Sequence, residues 1–357
     1  MPGVEFQAIF CTRREPNRQW ELPPLQFPHT FLRERFVSRG SNFIHNNPDV
    51  VTALRRLNPD VIVTTGFNPT HLYAFAYAQL RGIPHVPMTD GTDISEQSLS
   101  FRHRWVRKLV YARSKAFVSA SLGGRRLYQT YGVPLQHWFQ SCLCVDNNAY
   151  LRTPEPEHKE FDLIFCGRLV EDKNPLFALQ VAAGVGRRLG RRTRILFVGS
   201  GEQEGMLRAA ADEMAADLDA SFHGHAEQNV LPSLYRSASV FLFPTAGDVW
   251  GVVANEACAA ELPIIVSPNA GVVGELVLDG QNGFVRELEL EQWVEATVSV
   301  LARPALRQRF AQCSAKLVNR FTFEQAAIGI VDACRHATDE RYRNAVKVGA
   351  KQMGRTR

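Results

Sequence analysis

Two carboxylates, Asp248 and Glu256, flank a turn with seven residues between them, inside the apolar-rich stretch 241–267. A carboxylate there can accept hydrogen bonds from sugar hydroxyls. The crevice beyond the ends of parallel strands also presents free backbone N–H groups and a helix N-terminus, both suited to phosphate. Two cations, Arg168 and Lys173, follow Gly167 after another apolar run. Their bidentate guanidinium and point-charge ammonium can neutralise phosphate oxygens, and a glycine lets the backbone come close to them. Gly199-Ser-Gly201 reads as a nucleotide-facing loop. The next glycine, Gly205, is out of register and no acidic partner follows, so the dinucleotide fingerprint does not fit.

These residues need strands and helices to hold them. Val240–Phe243 is an apolar run suited to a buried parallel strand, 244–251 has turn chemistry, and Val252–Ala260 has helical periodicity. The alternation extends along the chain. In the first half, 61–64, 86–88 and 116–118 read as strands, each followed by a helical pattern at 71–80, 102–112 and 125–131. In the second half, 163–165, 195–198, 240–243 and 264–266 repeat the scheme, and helical patterns at 288–301, 304–320 and 323–337 close the chain. Such alternation predicts an α/β fold of right-handed βαβ units around parallel sheets. At 357 residues the chain is long enough for two domains with a cleft between them. The prolyl, charged segment 151–160 is the expected linker, dividing an N-terminal domain (1–150) from a C-terminal one (151–340), with a basic tail at 341–357.

Bulk composition narrows the class. With 45% hydrophobic and 22% charged residues, disordered, collagenous and coiled-coil readings fall away. A net charge of +5 suits an anionic substrate or a membrane surface and does not imply nucleic acid. Seven cysteines, of which only Cys142 and Cys144 are close in sequence, match neither a disulfide framework nor a zinc pattern, so a reducing cytosol is expected. The opening residues lack a signal-peptide pattern and no apolar run reaches membrane-spanning length, so any membrane contact is expected to be peripheral, at the inner face.

The spacing of Asp248 and Glu256, with Gly251 between and Pro263 after, resembles the E-x7-E motif of family 4 retaining glycosyltransferases, which have the GT-B fold. Phe161–Lys173 resembles that family's strand and G-R-L-x-x-x-K stretch, and Arg194–Gly201 its next strand and glycine loop. Phe222-His-Gly224, Leu234–Val240 and Asp279–Val285 follow in family order, so the resemblance covers about residues 160 to 340 and is loose before that. It implies two Rossmann-like doubly wound domains facing a cleft, with a nucleotide diphosphate sugar bound by the C-terminal one. On the matching positions, Gly167, Arg168, Lys173, Thr245, Val252 and Val253 would hold the diphosphate. Glu256, with Gly199 and Gly201, would hold the ribose and base. Asp248 would bind the donor sugar and stabilise its charge, although the family usually has Glu there and Asp is shorter by ~1.5 Å. Glu275 matches the acid of a G-x-x-x-E helix start. No metal or other cofactor is expected, the nucleotide sugar being a substrate.

The first half offers fewer anchors. Asp90, after the 86–88 strand, stands where the family carries a histidine beside the reacting sugar, and is taken as a second catalytic candidate; an Asp-Gly turn explains it equally well. His85 reads as a core residue. The family's first strand and glycine-rich loop have no counterpart in Val4–Cys11, so either the chain starts late or its first sheet lacks a strand. The segment 101–115 puts Phe101, Trp105 and Leu109 on one helical face near Arg104, Arg107 and Lys108, as a helix on anionic lipid would; an ordinary amphipathic helix also fits. Asp217-Leu-Asp219 has no strand leading into it and is not read as a metal motif. The expected activity is sugar transfer to a hydroxyl of a glycan or lipid-linked acceptor, with retention. The alternatives are a nucleotide-sugar epimerase of the same fold and a non-catalytic binding or scaffold subunit.

Overall fold

The computed structural model describes residues 3–14, 24–39, 42–154 and 156–353. Its contacts divide the chain into two units, Met1–Ala120 with Gly124–Ser141 and Ala327–Arg357, and Ser121–Gly123 with Cys142–Ala326.

In the first unit, β1 (Ala8–Phe10) and β2 (His29–Phe31) form a two-stranded parallel sheet, and β3 (Phe36–Arg39) and β4 (Asn42–His45) an antiparallel pair. The opening segment Val4–Cys11 thus contributes β1, outside the main sheet. That sheet is four parallel strands in sequence order, β5 (Ile62–Thr64), β6 (His85–Thr89), β7 (Phe117–Ser119) and β8 (Trp138–Gln140). Helix α1 (Val50–Leu57) leads into β5, and between the strands run α2 (Pro69–Arg81), α3 (Asp93–Gln97), α4 (Phe101–Tyr111) and α5 (Leu122–Thr130). Local sequence sets their ends. Helix α2 opens on a proline at its first position, where no N–H is needed, and closes on Gly82 in the left-handed region.

The second unit contains α6 (Asn147–Arg152), β9 (Phe161–Cys166), α7 (Pro175–Leu189), β10 (Thr193–Val198), α8 (Glu204–Glu213), β11 (Leu218–Gly224), α9 (Leu231–Arg236) and β12 (Ala238–Phe243). Then follow α10 (Val252–Ala259), β13 (Ile264–Val266), β14 (Gly283–Val285), α11 (Leu290–Leu301) and α12 (Pro304–Val318). All its strands are parallel, in the order β11-β10-β9-β12-β13-β14. Successive residues alternate between two cores. Ile164, Leu196, Phe241 and Ile264 face one, with α10 and the end of α12; Leu163, Ile195, Val240 and Ile265 face the other, with α7 and α11. Burial on both faces explains the unbroken apolar runs, each such side chain contributing ~1.5–3 kcal/mol. Helix α13 (Phe323–Met353) belongs to the first unit from Ala327 onward, where its Ala333 and Ala337 cluster with Val86, Ala116 and Val118.

Three details depart from the sequence reading. The division falls between Ser141 and Cys142, and the prolyl stretch 151–160 lies within the second unit. The polar tail from 341 continues α13 to Met353, while 354–357 lie outside the described residues. Asp219 sits inside edge strand β11, and Asp217 and Asp219 face Arg187 and Arg192 at 2.6 and 4.0 Å. No helix among the described residues is long and apolar enough to cross a membrane.

Candidate functional site

Strands β9, β10 and β11 fill one half of the second sheet and β12, β13 and β14 the other, so the order in which strands are added reverses between the parallel neighbours β9 and β12. Loops leaving the two strands at such a point splay apart and open a crevice. Gly167, Arg168 and Lys173 follow β9, while Thr245 and Asp248 follow β12.

The structure brings Lys173 and Asp248 together. Lys173 Nζ donates to Asp248 Oδ2 at 2.9 Å and to the Gly247 carbonyl at 3.3 Å, with Asp172 Oδ2 at 3.6 Å. Both side chains are about one-fifth exposed, at 18% and 21%. Further bonds lock the two loops. Ala246 N–H donates to Asp172 O at 2.8 Å, and Asn174 Nδ2 to Pro244 O at 2.8 Å. Asp248 Oδ1 accepts from Trp250 N–H at 3.1 Å, so the carboxylate is held from both sides. Arg168 differs: its side chain is 72% exposed, with Asp172 at 4.0 Å as a loose neighbour. Its guanidinium is therefore free to reach into solvent.

Thr245 corrects the sequence reading. It is fully buried, and its hydroxyl bonds to Asp172 O at 3.2 Å and Gly247 O at 3.0 Å. It braces the loop instead of offering a hydroxyl to phosphate, because a residue at the end of a buried strand points inward as readily as outward.

Helix α10 begins at Val252 with no side-chain cap, leaving Val253 half-buried and Val252 exposed at its first turn. Its first N–H groups and dipole face whatever occupies the crevice. The turn before it depends on Gly251. With φ at +97° and an added Cβ 2.4 Å from the Phe243 ring, only glycine fits. Across the β9 and β10 ends, Gly199 (φ +128°) lies so close to Gly167 that a Cβ would stand 1.9 Å from its carbonyl oxygen. Gly201 sits likewise against the Leu169 carbonyl. The two glycine loops thus form one surface.

Glu256, on α10, is 6% exposed, and burial pushes its carboxyl up to about 7 while the Tyr235 hydroxyl, donating at 2.8 Å, pulls it back. Neither Tyr235 nor Trp250 was foreseeable from spacing. Trp250 is 1% exposed and donates through Nε1 to Asn255 Oδ1 at 2.8 Å, and Asn255 Nδ2 donates to Leu143 O at 3.1 Å. Glu275 opens no helix. It lies among turns and accepts Leu122 N–H at 2.7 Å.

In the first unit, Asp90 is exposed immediately after β6. His85 is fully buried, its ring bonded to Thr64 Oγ1 at 2.9 Å and Ser114 Oγ at 2.8 Å. Burial pushes it down to about 3, so it stays neutral, and because Ser114 gives its own proton to Val110 O, His85 Nδ1 is the protonated nitrogen. It is a core residue.

Known proteins resemble this chain. Residues 147–317 match the family model described as Glycosyl transferases group 1. The D-inositol 3-phosphate glycosyltransferase of Rhodococcus opacus (strain B4) is 28% identical over 200 residues, 54% of this chain and 45% of that protein. The chain thus spans less than half the length of that relative. The glycogen synthase of Mycobacterium tuberculosis (strain ATCC 25618 / H37Rv) is 30% identical over 283 residues, 76% of this chain and 68% of that one. Among solved structures, Anabaena Alr3699/HepE in complex with UDP aligns with a TM-score of 0.70 at 15% identity, over 86% of this chain and 85% of that chain. That likeness speaks for the fold, two Rossmann-like units of the GT-B class. With the family model spanning the crevice and its flanking strands, and a relative aligned over most of both chains, this chain belongs to the glycosyl transferases group 1 family.

Proposed function

We propose that the chain transfers a sugar from a nucleoside diphosphate sugar to a hydroxyl acceptor, with retention at the anomeric carbon. The observation that carries the reading is the Lys173–Asp248 pair where the order of strand addition reverses, beside the uncapped start of α10. When the bond from sugar to phosphate breaks, negative charge grows on the diphosphate and positive charge on the sugar ring. Lys173, Arg168 and the Val252 and Val253 N–H groups answer the first, and Asp248 the second. Interactions that strengthen as charge develops lower the barrier without tightening the ground state. Glu256 accepts the ribose hydroxyls, and the Gly167, Gly199 and Gly201 backbone lets the nucleotide lie close. Asp90 is assigned to the acceptor side as a second carboxylate. The departing phosphate takes the acceptor's proton, so no separate base is required.

The UDP held by the solved Anabaena structure favours a uridine donor. Release of nucleoside diphosphate, measured with a panel of donors with and without sugar acceptors, tests the reading. Acceptor-dependent release supports transfer. Release without acceptor fits the epimerase alternative, and binding without any turnover fits a non-catalytic subunit.

A lipid-linked or polysaccharide acceptor at an anionic membrane is favoured by α4. Phe101 and Trp105 are 72% and 63% exposed, with Arg102, Arg104 and Lys108 exposed around them. Amphipathic helices of this composition lie in the lipid interface. Two residues of the expected face are spent otherwise: Leu109 packs on the first unit's core and Arg107 pairs with Glu96 at 2.5 Å, because this helix must also hold α3. The lipid face is thus the first half of α4.

A further inference from the structure

We propose that Tyr235 is a positioning residue of the donor site, fixing the Glu256 carboxylate so that one oxygen is left for the nucleotide's sugar and ribose is taken over deoxyribose. The assignment rests on the donor-site reading above and adds the side chain that gives the site its choice of sugar.

Tyr235 lies in α9 and is fully buried. Its ring is walled by Phe241 of β12, with centroids 5.7 Å apart, and by Tyr150 of α6 at 6.1 Å. A ring enclosed in this way holds its hydroxyl in one place. That hydroxyl donates to Glu256 Oε2 at 2.8 Å, and the Val253 carbonyl stands at 3.4 Å as a longer second neighbour. A phenol has a single hydrogen, and the shorter bond, to a charged group, takes it. Tyr235 thus meets α10 at its first turn and again at the carboxylate one turn on.

Glu256 needs such a partner. It is 6% exposed on a long, rotatable side chain, so without an anchor its carboxylate loses both its direction and much of its ionised form. The bond from Tyr235 opposes the upward push of burial for that reason. The other oxygen, Oε1, accepts no hydrogen bond among the described residues. Half of the carboxylate is therefore open to a donor. Ribose brings two neighbouring hydroxyls and deoxyribose only one. Held still, the carboxylate penalises the missing hydroxyl; free to turn, it follows the one that remains.

The test is calorimetric titration of the full chain with UDP, GDP, ADP and CDP, then with the 2′-deoxy form of whichever binds. The parent is expected to favour the ribose form about ten- to hundredfold, as a bond to a charged group gives. Tyr235→Phe keeps the ring and its packing and removes the bond. It should weaken the ribose form about three- to tenfold and leave the deoxy form nearly as it was, so the preference shrinks. The pH at which affinity levels off should move above about 7, since Glu256 has lost a donor. In a Glu256→Gln background the same change should leave the ribose preference where it is, because Tyr235 acts through that carboxylate. Where Tyr235→Phe does not fold, fluorotyrosine placed at 235 serves: its more acidic phenol is a stronger donor, and the levelling pH should fall. Equal weakening of both sugar forms by Tyr235→Phe, or no movement of the levelling pH, overturns the proposal. A parent that binds nucleoside diphosphate without preferring ribose overturns it and leaves the donor reading standing. A parent that binds no nucleotide overturns both.

Discussion

Lys173 and Asp248, from loops that leave the two neighbouring strands β9 and β12, meet at 2.9 Å where the order of strand addition reverses. On the proposed reading, an ammonium so placed would serve two partners in turn, the carboxylate when the crevice is empty and a diphosphate when it is filled. Lys173→Met should therefore cost about 1.5–3 kcal/mol of donor binding, a roughly ten- to hundredfold rise in Kd. Unfolding of Lys173→Met, Asp248→Asn and the double variant should show coupling of about 1 kcal/mol. Strictly additive effects would mean that the pair does not act as one.

Glu256 predicts a pH dependence. Its carboxyl is pushed up to about 7 in the empty site, and ribose hydroxyls donating to the ionised form would lower it. The bound state then holds fewer protons, so affinity for a diphosphate sugar rises with pH up to about 7 and levels off above. For folding the sign is opposite: the native state keeps its proton where the unfolded one loses it, so this group's contribution to stability declines from about pH 4.5 to 7. Calorimetric titration across this range with the parent and Glu256→Gln checks both, the variant giving a flatter profile.

Gly251→Ala places a methyl into the Phe243 ring on a backbone that L side chains rarely adopt. The expected cost is about 1–3 kcal/mol from the backbone alone, lowering Tm by ~2 °C or more. Donor affinity should fall with it, since the start of α10 moves. A variant with unchanged Tm and affinity would show that this turn is not constrained as described.

Phe101→Ala and Trp105→Ala should each reduce sedimentation with anionic vesicles, and salt should weaken binding of the parent. Soluble-donor affinity should stay as it was. Equal binding of both variants and parent would remove α4 from the membrane reading.

Much of the second unit was legible because parallel strands buried on both faces are written as apolar runs; β9, β10, β12 and β13 each contain the run expected of them. Edge strand β11 was not, since Leu218-Asp-Ala-Ser-Phe-His-Gly224 mixes polar residues into a half-covered strand. The first unit was harder: β1 to β4 and β8 are short and pair outside any long apolar pattern. At the site, spacing located Lys173, Asp248 and Glu256 on their loops and helix. It could not tell that Thr245 turns inward, nor that Tyr235, Trp250 and Asn255 support the carboxylates, because those contacts join residues far apart in sequence or depend on rotamers. The Leu143 carbonyl is the extreme case, a backbone atom with no side-chain signature.

The central claim is that Lys173 and Glu256 jointly hold a nucleoside diphosphate sugar. Isothermal titration of the parent, Lys173→Met and Glu256→Ala with UDP-, GDP-, ADP- and CDP-sugars tests it directly. One donor class is expected to bind the parent, raising its stability by RT ln(1 + [L]/Kd), with binding weakened in the first variant and lost in the second. Binding of none of them to the parent, or equal binding to all three proteins, would contradict it.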